Sequence, residues 1–155
     1  MTPTSTPALH LALEGDDLDG WIQSVDEHGS VVLQMPGPVA HTRTTFRAAV
    51  LEGTSEDLEV MTSLLVAELQ TLLSDCLLIE AELLLDGPFR DDVAQVTLAF
   101  RVGLHSCTYF QWVCATGTEH IVTASLVCES GDAPIMAIIG PALLGSLKLL
   151  DADAP

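Results

Sequence analysis

The sequence predicts an α+β domain, an antiparallel sheet flanked by two main helices. Three observations predict it. Val93 to Val102 alternates with period two, as a strand buried on one face does. Leu58, Met61, Leu65, Leu69 and Leu72 recur at spacings of three and four, the stripe of an amphipathic helix. The order along the chain is strands, helix, four strands, helix, with short turns between the late strands, which favours an antiparallel meander.

Each element follows from local signals. Residues 1–7 are rich in Thr and Pro and read as a tail. Ala8 to Leu13 alternates weakly, as a first strand would. Gly15 to Gly20 is a turn before Trp21. Ser30 to Met35 is an apolar run bounded by Gly29 and Pro36-Gly37-Pro38, a strand. Thr44 to Leu51 is another. Thr54-Ser55-Glu56-Asp57 has the form of a helix cap, and the helix is expected over 56–74. Cys76 to Leu85 reads as a strand, with Glu80 and Glu82 alternating against Ile79, Ala81 and Leu83. Asp86-Gly87-Pro88 is the turn after it. Val93 to Val102, Cys107 to Cys114 and Glu119 to Cys128 are strands. Gly103 to Ser106 is a loop and Thr116-Gly117 a tight turn. Asp132 suits an N-cap and Pro134 a first turn, so a last helix carries the apolar run from Ile135 to Leu150, with a kink at Pro141. One domain over 8–150 is expected, with a short acidic tail at 151–155.

Composition bounds the function. The chain has 155 residues, with 22 Asp+Glu against 5 Lys+Arg and a net charge of −17. Yet 48 % of it is hydrophobic, and its mean hydropathy is +0.41. Five scattered cations cannot neutralise a run of phosphates, so a nucleic-acid partner is not expected. Attraction to an anionic membrane is disfavoured for the same reason. The apolar content is too high for a disordered chain. No segment reads as a secretory signal, and no uncharged apolar run reaches the roughly 18 residues of a membrane span. The expectation is a soluble, cytoplasmic protein. The four cysteines, 76, 107, 114 and 128, have no CxxC spacing and read as reduced core residues.

The succession of elements resembles a known family. It comprises a strand before Trp21, the capped helix opening Thr54-Ser55-Glu56-Asp57-Leu58, and Leu85-Asp86-Gly87 closing a strand. Then come Val96-Thr97-Leu98-Ala99-Phe100-Arg101, the aromatic strand Tyr109-Phe110-Gln111-Trp112-Val113, Ile121 to Ser125, and a final helix running into Gly145-Ser146-Leu147. Over residues 20–150 this is similar to the PsbP-like superfamily. The resemblance implies an α/β/α sandwich and a non-catalytic binding role. There is no lipobox cysteine near the first residues, which favours cytoplasmic adaptors and secretion chaperones over the family's lipoproteins.

Candidate sites follow from the strand registers. A tight turn at Thr116-Gly117 pairs Trp112 with Ile121 and Phe110 with Thr123, and side chains opposite one another share a face. One face then carries Val96, Leu98, Phe100, Val102, Cys107, Tyr109, Val113, Val122, Ala124 and Leu126, a core face. The other carries Gln95, Thr97, Ala99, Arg101, Thr108, Phe110, Trp112, Ile121, Thr123, Ser125 and Val127. Phe110, Trp112, Ile121 and Val127 with Arg101 are the candidate partner-binding residues, with Trp112 as anchor. The alternative is that a helix covers this face too. In the last helix Ile135, Ile139, Leu143 and Leu147 belong to a surface with almost no polar side, either central in the domain or a dimer interface.

Catalytic signals are sparse. No Gly-x-Ser-x-Gly elbow and no glycine-rich phosphate loop occurs. Asp16/Asp17 and Asp91/Asp92 read as solvated loop pairs, and Asp26-Glu27-His28 as a hairpin turn. His105, Cys107 and Cys128 could together hold zinc. No cofactor is expected. The reading is a non-catalytic adaptor or chaperone for a secreted effector, working as a homodimer on a basic client or one with an apolar segment. The alternatives are a metal-dependent enzyme using His105, Cys107 and Cys128, or an acidic regulator that mimics nucleic acid.

Overall fold

The computed structural model describes residues 8–11, 22–25, 30–34, 44–84, 87–89 and 91–150. The strands are β1 (Ala8–Leu11), β2 (Ile22–Val25), β3 (Val31–Gln34), β4 (Thr45–Glu52), β5 (Leu77–Leu84), β6 (Val93–Val102), β7 (His105–Ala115), β8 (His120–Glu129) and β9 (Leu147–Leu150). The helices are α1 (Leu58–Leu72) and α2 (Ala133–Gly145). The expected tails, Asp16/Asp17, Trp21 and Asp26-Glu27-His28 lie outside the described residues.

Seven strands form one antiparallel sheet in the order β2-β3-β4-β8-β7-β6-β5. β1 and β9 pair separately. The arrangement is the α+β sheet with two main helices that the sequence predicts. Hairpins generate most of the order. The exception is α1, which takes the chain from β4 in the middle of the sheet to β5 at its edge.

A short 3-10 turn, Ser55–Asp57, precedes α1. The Asp57 carboxylate accepts from the Thr54 N–H at 2.8 Å and the Thr54 hydroxyl at 3.2 Å, so the predicted capping segment does cap. In the turn between α1 and β5, Asp75 has φ 53°, a left-handed conformation that Asp tolerates.

The two sheet faces bury different helices. On one face, α2 and β9 supply Met136, Leu143, Leu144 and Leu147 to a core with Val31, Leu33, Phe46, Trp112, Val122 and Leu126. On the other, α1 sets Leu58, Met61 and Leu65 against Ala94, Val113, Ala115 and Ile121. Burying each large side chain stabilises by about 1.5–3 kcal/mol. The last helix differs from its expectation. It runs through Pro141 but ends at Gly145, and Leu147–Leu150 is strand. The cause is pairing with β1, which takes up the backbone groups of that segment. β2 is an addition that the sequence reading lacked.

Candidate partner-binding surface

The residues predicted to form an aromatic binding face do not share one. Trp112 is 1 % exposed beneath α2. Its indole N–H donates to Gln95 Oε1 at 2.9 Å. Its ring stacks on Phe110, with centroids 6.0 Å apart and planes at 12°. A Cβ at Gly140 would lie 2.6 Å from Trp112 Cη2, so only glycine admits α2 this close. Phe110 is buried on the same face. Ile121 is buried on the opposite face, under α1. Val127, opposite Tyr109, is half-buried there too, and Arg101 is exposed.

The reason is a register shift. Trp112 pairs with Ala124, not Ile121, so β8 is displaced by three residues from the expected pairing. An odd displacement turns every side chain of a strand over. The loop is longer than a two-residue turn because threonines staple it. The Thr116 hydroxyl donates to the His120 carbonyl at 2.7 Å, and the Thr118 hydroxyl accepts from the His120 N–H at 3.2 Å. A helix covers the Trp112 face, which was the alternative reading.

The four residues singled out in the last helix also divide. Leu143 and Leu147 are buried, and Ile139 is half-buried. Only Ile135 stands out, 59 % exposed. It shares the outer side of α2 with Pro134, Ala137, Ile138, Pro141 and Ala142, all exposed. No residue of α2 carries a charge.

The thiols are core groups. Cys107, Cys114 and Cys128 are buried, and Cys76 is half-buried. Burial pushes the Cys114 thiol up to about 12. Cys128 is pushed up to about 12 by burial first, then by Asp132, Cys107 and Glu129. Such thiols stay protonated and unreactive at neutral pH. His105, Cys107 and Cys128 do not assemble. Cys107 pairs with Glu129 and Cys128 with Thr108, which places the two sulfurs on opposite faces. Among the described residues no three His, Cys, Asp or Glu side chains are grouped to hold a metal.

Four of the exposed large apolar side chains cluster on β5, which no local signal marked as exposed. β5 is an edge strand, and residues 77–83 are exposed on both of its faces. Leu77 is 68 % exposed, Leu78 48 %, Ile79 60 % and Leu83 60 %. A bulge between Leu78 and Glu80 separates two groups. Beyond it, Glu80 and Glu82 face the α2 side of the sheet while Ala81 and Leu83 face the α1 side. α1 stands over β6, β7 and β8 and leaves β5 uncovered. The gap is a groove of about 400 Å³ lined by Leu58, Thr62, Ala81, Leu83, Ala94 and Val96, with Glu59 and Glu82 beside them. Alternation within Cys76 to Leu85 was legible, but nothing local told an edge strand from a central one.

No family model matches the chain, and no curated protein sequence matches it. Solved structures do. LpqN, involved in cell envelope biogenesis of Mycobacterium tuberculosis, superposes with a TM-score of 0.65 at 12 % identity, covering 96 % of this chain and 86 % of that one. The cyanobacterial PsbP of Synechocystis superposes at 0.56 and 13 % identity, covering 96 % of both chains. A protein from Bacteroides thetaiotaomicron matches at 0.58 and 17 % identity over 88 % of this chain, which spans only 44 % of that one. These likenesses concern fold, and with the sheet order and the two helices they agree: the chain has the PsbP-like fold.

Proposed function

We propose that this protein is a non-catalytic binding protein, a cytoplasmic adaptor or chaperone that holds a protein client destined for export. The observation that carries the reading is β5. Four large apolar side chains stand exposed on one edge strand beside an apolar groove. Exposed apolar surface on a strand edge marks an interaction site. The net charge of −17 keeps the chain soluble and draws a basic client. A second observation favours self-association: the outer side of α2 is apolar and uncharged, which suits a homodimer contact.

The test is co-expression with the products of neighbouring genes, followed by purification on a tag carried by this chain. A client recovered in fixed stoichiometry supports the reading. A monomer that recovers no neighbouring product and does not bind apolar peptides refutes it.

A further inference from the structure

The geometry points to the occupant of the β5 edge: an extended segment of another protein in which cationic and apolar residues alternate, added to the sheet as an eighth strand. The inference rests on the partner-binding reading and specifies its chemistry. β5 pairs with β6 on one side and, among the described residues, with nothing on the other. Its outer backbone groups are a template for strand addition. The edge is eight residues long and six of them are apolar; the bulge after Leu78 and the two glutamates interrupt it, so a strand that pairs there must supply cations opposite Glu80 and Glu82.

The side chains set the pattern of the incoming strand. Neighbours across a strand pair share a face. Residues set opposite Glu80 and Glu82 meet two exposed carboxylates on the α2 side. Residues set opposite Ala81 and Leu83 lie on the α1 side, where the groove between α1 and β5 is lined by Leu58, Ala94 and Val96. Period-two alternation of Lys or Arg with Val, Ile or Leu satisfies both faces at once. A second copy of this chain fits worse. It would bring its own Glu80 and Glu82 to the edge, and a further charge of −17.

The probe is a ten-residue Lys/Val alternating peptide, titrated against the full chain in moderate salt. The control is a Glu/Val peptide of the same length. Hydrogen exchange reads the Leu77–Leu84 amides, and light scattering reads the mass of the chain. The expected result is saturable binding, slowed exchange over Leu77–Leu84, and no binding of the Glu/Val peptide. The double variant Glu80→Lys, Glu82→Lys alters exposed side chains only. It should bind the Lys/Val peptide about tenfold more weakly, because two cross-strand attractions become repulsions. It should also gain affinity for the Glu/Val peptide.

Binding without slowed exchange on β5 overturns the inference, as does binding indifferent to the charge swap. Concentration-dependent slowing of β5 exchange in the chain alone, with dimer mass, gives the edge to a second copy and overturns it too. A client that co-purifies while Leu77–Leu84 exchanges freely sinks strand addition and leaves the partner-binding reading intact. Loss of both peptide binding and any co-purified client sinks the partner-binding reading together with the inference.

Discussion

Gly140 is where the seating of α2 on the sheet can be measured. In Gly140→Ala the new methyl would lie 2.6 Å from Trp112 Cη2 and 3.1 Å from Cζ2. Carbon atoms sit best about 3.5–4.0 Å apart, so the helix or the ring must yield by about 1 Å. The ring has little freedom, because its N–H is held by Gln95 and its face lies on Phe110. Overpacking of this kind costs about 1–3 kcal/mol. Replacing a helical glycine by alanine returns about 1 kcal/mol of propensity. The balance is a loss of about 0–2 kcal/mol, or up to roughly 8 °C in Tm for a chain of this size. Gly145, at the end of the same helix, is the internal control, since a Cβ there meets nothing within 4 Å. Gly145→Ala should be neutral or gain up to about 1 kcal/mol. Urea unfolding followed by far-ultraviolet circular dichroism measures both, with unchanged m-values. If Gly140→Ala matches Gly145→Ala in stability, α2 does not rest on Trp112 and the account of this core is wrong.

Three further outcomes are expected. Gln95→Leu removes the acceptor for the buried Trp112 N–H and should cost about 1–2 kcal/mol in the same assay; an unchanged midpoint would show that the bond adds nothing. Of the 4 cysteines, only half-buried Cys76 should react quickly with an aromatic disulfide at pH 8 in the folded chain, and all should react in denaturant; several fast thiols in the folded state would contradict the burial of Cys107, Cys114 and Cys128. Stability should fall as pH rises from about 9 towards 12. Cys114 and Cys128 hold their protons to about 12 when folded and release them near 9 when unfolded, so the unfolded chain binds fewer protons there. The slope is at most about 1.4 kcal/mol per pH unit per thiol. A Cys114→Ala, Cys128→Ala variant should decline less steeply, and an identical decline would remove the thiols from the explanation.

How far the site was legible can be argued from three turns. Between β6 and β7 the expected register placed Phe100 opposite Tyr109, whereas Phe100 pairs with Cys107. That even displacement left the faces correct. Between β7 and β8 the displacement was odd, and the inferred aromatic surface became interior. Both errors lay in loops of a few residues, where hydroxyl contacts such as Thr116 to His120 decide the length. At the third turn, Gly145-Ser146, the apolar run from Ile135 to Leu150 gave no local sign that helix passes to strand. The pairing of β9 with β1, far away in sequence, makes that change.

The sequence by itself determines the class, the existence of all but one of the strands in the sheet, the cap of α1 and the excess of acid. Each rests on residue type and spacing within a short window, and a short window is what periodicity and capping depend on. Tertiary structure alone decided which aromatics are interior, that α2 keeps an apolar outer side, and that β5 has, among the described residues, a neighbour on one side only. Those depend on registers and on the crossing of α1, where one residue of slip or one change of strand order reverses what meets water.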